Sequence, residues 1–418
     1  ALAATPRLPA LLAADGAWRR DERARRFYYQ PDGTPRAVGH RLRNPALAEI
    51  LRRIATGGSD ALHRWAVAAD LVARVRAHPE LPGRLTEADL AAYVPQERAA
   101  ICTRWRESVR VCGFPPPSSG HLALMQILGV MAQRPASAIS FAAGLPAADW
   151  LHEFTEAARL AYADRALYVA DPAFVTPPAG RWTSLLDERY LRERADLIGP
   201  RSLGVAPAGR PRGEPIAAAP QPDQPEAGTS HVGIVDGEGQ AVALTSSIEH
   251  AFGSRILADG GTGLPGGYLL NNQLTDFSFA PADAQGRPVA NRVQPGKRPR
   301  SSMAPTLVFD ARDGRLRMVL GSALGPFIPQ LVAKAMVGAA AWQLDPQQAL
   351  ALPNAASLNG PTILEKGRYP AATIEALRAR GHVVVETEMP SGSHTIQRTA
   401  TGWIGGTDPR REGVVQGD

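Results

Sequence analysis

Gly228-Thr229-Ser230-His231-Val232-Gly233-Ile234-Val235-Asp236 is the stretch on which the reading of this sequence turns. Its residues alternate with the two-residue period of a strand. Asp236-Gly237-Glu238-Gly239 is a turn signal, and Gln240-Ala241-Val242-Ala243-Leu244-Thr245-Ser246-Ser247 is a second strand, so the two predict a β-hairpin. The chain before it has the opposite texture. Between Val205 and Gly228 six prolines (207, 211, 215, 220, 222 and 225) sit among Ala, Gly, Gln and Glu, with little apolar to bury. That composition predicts an extended or disordered linker. A threonine hydroxyl at a strand start is a poor nucleophile unless a base lies beside it. Cleavage just before Thr229 would supply one, because its own α-amino group, with a pKa of about 8, is partly neutral at pH 7. Glycine offers little bulk before such a bond. Gly-Thr also opens many ordinary strands, so the surrounding sequence must decide.

Downstream, strands are expected at 304–310, 315–321, 382–388 and 394–399, with a helix from about Phe327 to Trp342. Upstream, the first half reads as helical. Leu47, Ile50, Leu51 and Ile54 form a helical stripe within Asn44 to Thr56, and residues 59 to 77 continue it. Thr86-Glu87-Ala88-Asp89 is a capping box with Asp in the reciprocal position. Pro115-Pro116-Pro117-Ser118-Ser119-Gly120 breaks the chain before an apolar helix from His121 to Met131. Residues 147 to 165 and Asp187 to Ile198 predict two more helices.

The 418 residues allow two or three domains, and 44% hydrophobic with 21% charged residues suits a chain with a sizeable core. The net charge of +6 invites a nucleic-acid reading, but 43 of the 46 basic residues are arginine, interspersed with acids as in Arg20-Asp21-Glu22-Arg23. Spread charge of this kind describes a solvated surface, so no nucleic-acid partner is expected. No apolar run reaches the 18 residues of a membrane span. Ala1 to Leu12 lacks the charged start of a signal peptide. Cys102 and Cys112 flank an alternating segment that is a hairpin or a pair of adjacent strands. Two buried thiols are the plain expectation there, a disulfide the sharper alternative.

Several motifs are decoys. Gly261-Thr262-Gly263-Leu264-Pro265-Gly266 matches a dinucleotide fingerprint, but Tyr268-Leu269-Leu270 after it is strand-like where a helix would have to open. Ser118-Ser119-Gly120 lacks the leading glycine of a nucleophile elbow and reads as a helix-entry turn. The nine histidines form no metal-ligand pairing or cluster in sequence, so neither metal nor cofactor is expected, and His231 reads as structural.

Three blocks in register carry a family resemblance. The hairpin start at 229–236, Leu270-Asn271-Asn272-Gln273-Leu274-Thr275-Asp276-Phe277-Ser278, and Pro295-Gly296-Lys297-Arg298-Pro299-Arg300-Ser301-Ser302-Met303-Ala304-Pro305-Thr306 resemble the γ-glutamyltransferase (γ-glutamyl transpeptidase, glutathione hydrolase) family. Leu85 to Leu90, Pro115 to Gly120, Tyr162-Ala163-Asp164-Arg165 with Asp171-Pro172, and Gly405-Gly406-Thr407-Asp408-Pro409-Arg410-Arg411-Glu412-Gly413 fit as well, so the resemblance runs from about residue 36 onward. It implies an α+β fold, the four-layer αββα sandwich of N-terminal nucleophile hydrolases. It also implies self-cleavage between Gly228 and Thr229 into a large-subunit portion, 1–228, and a small subunit, 229–418, that associate as a heterodimer. Thr229 is then the nucleophile with its own amino group as base, and Ser247 orients it. The backbone N–H groups of Leu324 and Gly325 form the oxyanion site. Glu249, Gln273 and Asp276 contact the substrate amino side, and Ser301 and Ser302 hold its carboxylate. The implied substrate is a γ-glutamyl amide such as glutathione, with water or an amino acid as acceptor, in the periplasm or outside the cell.

The departures from the family pattern are specific. Glu249 stands where the family usually has Asn, adding a charge. The turn Gly321-Ser322-Ala323-Leu324-Gly325-Pro326 places Leu where a left-handed backbone favours glycine. No tyrosine-bearing lid is evident in Ala280 to Val293. The family's carboxylate-gripping Arg has no equivalent in residues 1 to 60, so the expectation is that an N-terminal segment is missing from 1–228, the alternative that the site lacks that clamp. Lys297, Arg298 and Arg300 read as a solvated basic turn. These features leave two alternatives: an acylase for cephalosporin- or glutaryl-type amides, and a catalytically impaired family member acting as a binding protein.

Overall fold

A computed structural model describes residues 2–15, 21–135, 140–211, 218–222, 224 and 228–417. Parts of the Pro-rich linker, including Pro215 and Pro225, lie outside them. The chain divides into two compact units, Ala1–Glu97 with Ser247–Gln273, and Arg98–Ser246 with Leu274–Asp418. Each contains residues from both sides of Gly228/Thr229.

The first unit is helical. Asn44 caps the helix Pro45–Gly57 by accepting from Leu47 N, and Pro45 occupies the first turn, where a missing N–H costs nothing. The same Asn44 side chain brackets Gly267, accepting from its N–H and donating to its carbonyl, both at 2.8 Å. That clamp ties the returning segment 247–273 to the helices. Thr86 and Asp89 form the expected capping box. Leu12, Ala24, Tyr29, Phe252 and Leu257 make the core. No helix opens at 261–266; Tyr268–Leu269 pairs as a short antiparallel strand with Leu257–Ala258, so the dinucleotide fingerprint is a decoy as expected.

The second unit is built on a six-stranded antiparallel sheet. Its strands are β1 (Ile101–Arg104), β2 (Val109–Gly113), β5 (Thr306–Asp310), β6 (Leu316–Gly321), β7 (His394–Arg398) and β8 (Trp403–Thr407); β3 (Ser230–Val235) and β4 (Ala241–Ser246) form the expected hairpin. The spatial order is β8-β7-β6-β5-β2-β1. Helices α1 (Gly120–Ala132), α2 (Ala148–Tyr168) and α3 (Ile328–Ala341) pack together with one face of this sheet. Alternation on β6 assigns the faces: Met318 and Leu320 share a side and enter the helical core with Val111, Leu124, Phe154 and Val332. Val319 and Gly321 point the other way and meet the hairpin. A Cβ at Gly321 would lie 2.3 Å from the His231 ring, and one at Gly233 3.2 Å from Val319. Glycine at these two positions lets the hairpin lie flat on the sheet. Its outer face carries Val232, Ile234, Val242 and Leu244, each about half exposed.

Three expectations are corrected. Cys102 and Cys112 form a disulfide: they are directly opposed in the β1/β2 register, which brings their side chains together across the pair. The linker is more anchored than its composition suggests. Ala219 is fully buried and bridges to Val289, while Gln221 N–H donates to Ala166 O. Lys297 and Arg300 are not a solvated turn but are 7% and 3% exposed. Lys297 Nζ donates to Ala290 O at 2.6 Å and Gln294 Oε1 at 3.0 Å, and burial lowers its pKa to about 8.

Candidate active site

The first strand of the hairpin begins under strain. Gly228 has φ +94° and Thr229 φ +84°, and for a β-branched residue that backbone is a true outlier. The left-handed conformation costs a non-glycine residue about 1–2 kcal/mol, so something must hold it. Two contacts do. Leu324 N–H donates to Gly228 O at 3.2 Å, and Arg411 Nη1 donates to Thr229 O at 3.2 Å. The carbonyl that precedes Thr229 is therefore already engaged by a backbone donor of the 321–326 turn.

That turn is itself left-handed. Leu324 adopts φ +90°, ψ +43°, and Gly325 φ +51°. Leucine thus takes the geometry that its side chain disfavours, because neighbouring bonds fix the turn on both sides. Ala323 N–H donates to Ser391 O at 3.1 Å, and Ser322 Oγ shares a 2.7 Å bond with Ser393 Oγ. Tyr162 hydroxyl donates to Pro326 O. The 391–393 segment is tied in turn to Asp408, whose carboxylate accepts from Ser391 Oγ and from Ser393 N–H. Hydrogen bonds from Ser391 and Arg410 hold the Asp408 carboxyl below its usual range despite burial. The C-terminal Asp408-Pro409-Arg410-Arg411 run thus acts twice, through Asp408 on the turn and through Arg411 on Thr229. Sequence reasoning quoted this run as a family ending but gave it no role.

Ser301 and Ser302 are held by the Pro-Pro-Pro-Ser-Ser-Gly turn. Ser301 N–H donates to Pro117 O, and Ser301 O accepts from both Ser119 N–H (2.7 Å) and Ser119 Oγ (2.8 Å). A Cβ at Gly120 would sit 2.3 Å from Met303 O, so only glycine permits this approach. Arg165 links the two serine pairs, donating to Ser119 Oγ at 2.8 Å and Ser302 Oγ at 2.5 Å. Arg165 was not among the expected site residues; its place in the Tyr-Ala-Asp-Arg block was the available signal. Asp276 is buried, and its carbonyl accepts from Asn291 Nδ2.

Thr229, Asp276, Ser301, Ser302, Leu324 and Gly325 belong to the second compact unit, and Ser247, Glu249 and Gln273 to the first. Within that unit Ser247 Oγ accepts from Glu249 N–H at 2.9 Å, and Gln273 N–H donates to Asn271 Oδ1. Glu249 is 1% exposed with φ +70°; its carboxylate accepts from Asn272 Nδ2 and lies 3.4 Å from His250 Nε2. The added charge is thus already bonded within the segment.

Two histidine findings complete the picture. His231 is structural as expected: buried, bonded through Nδ1 to Thr245 Oγ1 at 2.9 Å, and lowered by burial to a pKa of about 4. The expectation of no histidine cluster is corrected, since His152, Glu156 and His382 converge within 4.8 Å. They lie 230 residues apart at the extremes, beyond what spacing reveals. His152 and His382 bond each other at 2.8 Å, Thr362 bonds His382, and Arg159 donates to Glu156. Arg159 already supplies the positive charge a cation would bring, so the arrangement is a satisfied internal network.

Comparison with known proteins identifies the family. Residues 4–417 match the family model described as gamma-glutamyltranspeptidase. The chain is 32% identical over 386 residues to the glutathione hydrolase proenzyme of Escherichia coli (strain K12), covering 91% of this chain and 62% of that protein. It is 31% identical to the acylase ACY 1 proenzyme of Pseudomonas sp. (strain SE83), covering 87% of this chain and 58% of that protein. The structure of a cephalosporin acylase from Bacillus halodurans superposes with a TM-score of 0.78 at 25% identity, covering 98% of this chain and 70% of the other. The chain thus spans about three-fifths of the length of these two curated relatives. With the match running through nearly every residue, the chain belongs to the gamma-glutamyltranspeptidase family.

Proposed function

We propose that this chain is a self-processing γ-glutamyltransferase-like amidohydrolase with Thr229 as nucleophile. The observation that carries the reading is the Leu324 N–H on the Gly228 carbonyl, beside two strained residues at the bond to be cut. Thr229 Oγ attacks the Gly228 carbonyl carbon, and the oxyanion that forms stays on the Leu324 donor. The Gly228–Thr229 C–N bond breaks as the nitrogen takes up a proton, leaving an ester to Thr229 Oγ. Water hydrolyses the ester, releasing the Gly228 carboxylate, a free hydroxyl and a free α-amino group. In turnover that amine accepts the hydroxyl proton, and a γ-glutamyl amide such as glutathione acylates Thr229. Water or an amino acid then takes the acyl group.

In this reading Ser247 orients the nucleophile, Leu324 and Gly325 donate to the oxyanion, Gln273 and Asp276 hold the α-ammonium, and Ser301 and Ser302 hold the α-carboxylate. The cut portions 1–228 and 229–418 remain together in a four-layer αββα arrangement, in a periplasmic or secreted protein. Cleavage is read by intact mass: wild type yields a fragment starting at Thr229, and Thr229→Ala yields only uncut chain with no hydrolysis of a γ-glutamyl anilide. Active protein that stays uncut, or an active Thr229→Ala variant, refutes the mechanism.

Acylase action on glutaryl- or cephalosporin-type amides is the second reading, favoured by Glu249 in the amino-side segment and by the likeness to proteins named acylases. A carboxylate bonded to Asn272 and His250 redefines that end of the pocket. Glutaryl anilide turned over faster than γ-glutamyl anilide selects this reading, since the two differ only in the α-amino group.

A further inference from the structure

Arginines that are dispersed along the sequence gather in space within the smaller unit. A cavity of about 620 Å³ there is lined by Arg23, Arg26, Arg36, Arg41 and Arg43. Asp259 is the one acidic residue among its described walls, and it is committed: it accepts from Gly261 N–H at 3.1 Å and pairs with Arg23 at 3.1 Å. Arg26 pairs with Glu22. Arg36, Arg41 and Arg43 have no acidic partner among the described residues. The residues of this unit outside the described set, 1 and 16–20, include no Asp or Glu. Arg41 lies on the short strand Arg41–Leu42, paired with Leu2–Ala3, and Arg43 follows it beside the capping Asn44; both are exposed. Arg36 donates to Phe27 O at 2.9 Å and to Arg26 O at 3.1 Å, carbonyls that orient its guanidinium without neutralising it.

The loop Gly263-Leu264-Pro265-Gly266 forms another part of the wall and adds an independent observation. Ala46 N–H donates to Pro265 O, and Asn44 brackets Gly267, so the loop is pinned to the helix Pro45–Gly57. Gly266 has φ +91°, and a Cβ on it would lie 2.3 Å from Asn44 Oδ1, so this approach requires glycine. Gly266 is buried, yet its N–H has no acceptor among the described residues. Buried backbone donors without partners are rare in folded proteins, and one in the wall of a cationic cavity suits an anionic oxygen. The loop is no dinucleotide fingerprint, since no helix opens behind it; what it offers is a backbone donor. Arginine forks recognise phosphate oxygens bidentately. Three guanidiniums without acidic partners match the charge of about −3 on a terminal diphosphate near pH 7, where a dicarboxylate supplies only about −2.

We propose that this cavity binds a diphosphate group, free or carried on a small molecule, held by Arg36, Arg41 and Arg43 with the Gly266 N–H. None of the residues assigned to the Thr229 centre lines it, and the proposal does not depend on Thr229 being a nucleophile. Its test reads binding alone. Inorganic pyrophosphate, without magnesium, is titrated calorimetrically into the full chain, wild type and Thr229→Ala, with orthophosphate and succinate as counterparts of smaller charge. Pyrophosphate should bind both proteins saturably, and the two counterparts at least about tenfold more weakly, the equivalent of about 1.4 kcal/mol. ADP in place of pyrophosphate separates the two sources: tighter binding assigns the group to an organic carrier, weaker binding to the inorganic ion. Arg41→Gln/Arg43→Gln, both at exposed positions, should weaken pyrophosphate at least about tenfold with the unliganded melting temperature unchanged. Arg25→Gln/Arg76→Gln removes the same charge from exposed positions that do not line the cavity, and should leave affinity within about twofold. No saturable binding, equal binding of orthophosphate or succinate, binding indifferent to Arg41 and Arg43, or equal losses in the two arginine pairs overturns the assignment.

Discussion

Gly228-Thr229 and Leu324-Gly325 are two left-handed dipeptides joined by one hydrogen bond, and they differ in what can become of their strain. Thr229 carries its φ of +84° only while a residue precedes it. The proposed cleavage would remove the peptide bond that defines that angle, so the strain at this position would end with processing. Leu324 is held at φ +90° by a turn that Ser391, Ser393 and Tyr162 bond from outside the proposed cut. In the proposed processing one strained site would be spent by the reaction, and the other would be the fixed surface against which it runs. The difference teaches that strain of similar size serves two ends, reactivity where it can be released and placement where it cannot.

The sharpest way to break this contrast is at Gly228. Gly228→Val puts a β-branched side chain at φ +94°, where it is strongly disfavoured. The carbonyl then turns away from Leu324 N–H, and loss of one such oxyanion donor costs about a hundredfold in rate. Cleavage followed by mass over time should slow by about that factor while circular dichroism of the uncut chain stays unchanged. Wild-type cleavage in the variant would mean that the backbone shape at 228 has no part in processing.

Much of this contrast was open to sequence reading, but only on one side. The hairpin stood out because His231, Gly233 and Val235 alternate cleanly, and the helices because their apolar residues recur at helical spacing. Strand β8 was not foreseen: Gly405 and Gly406 have poor strand propensity, and they are there because a Cβ would lie 2.4 Å from the Val415 side chain at Gly405 and 2.6 Å from the Pro346 backbone at Gly406. The helix Ala371–Ala379 and the strand Thr362–Glu365 were missed as well, since their short runs acquire meaning only through the pairing of 362–365 with 384–387. At the site, residue types were legible while partnerships were not. Nothing in the spacing of Arg165, Ser119 and Ser302, or of Arg411 and Thr229, reveals that they touch. Lys297 and Arg300 misled because charge in a Pro-Gly turn looks solvated, whereas here neighbouring carbonyls accept their hydrogen bonds.

His231 tests whether hairpin and turn are held by one contact, since its ring fills the space over Gly321. Burial, with a smaller contribution from His394, depresses its pKa from 6.5 to about 4 in the folded chain. The neutral form is therefore the one the fold favours. The stability this provides is fully present above pH 6.5 and is lost as pH falls toward 4, at up to about 1.4 kcal/mol per pH unit. His121 and His382 are lowered in the same direction and keep part of the slope. Denaturant melts between pH 7 and 4.5 should show a shallower loss for His231→Gln than for wild type, by about 1 kcal/mol per unit. Parallel slopes would place the acid sensitivity elsewhere.

Arg411 probes the released side more gently. Its guanidinium donates to Thr229 O, one residue beyond the bond that breaks. A hydrogen bond from a charged donor contributes about 1.5 kcal/mol, so Arg411→Gln should slow cleavage about tenfold and leave the melting temperature of the uncut chain within a few degrees. Slowing equal to that of Gly228→Val would make Arg411 part of the chemistry and not a brace.

Leu324 is the side that cannot relax, and glycine and alanine at this position separate its backbone from its side chain. Both Leu324→Ala and Leu324→Gly lose the same half-buried side chain. At an ordinary site glycine is then the less stable of the two, because the unfolded chain gains more freedom. At φ +90° the order reverses: alanine keeps a Cβ clash worth about 1–2 kcal/mol that glycine lacks. Leu324→Gly should therefore melt higher than Leu324→Ala, by about 1 kcal/mol in stability, with both still cleaving because each retains the N–H toward Gly228. If alanine proves the more stable, the turn is free to leave the left-handed region, and Leu324 is no fixed surface. If glycine is more stable but cleaves slowly, the leucine side chain holds the N–H in line. The strain at Leu324 is then what keeps that donor in place after Thr229 has shed its own.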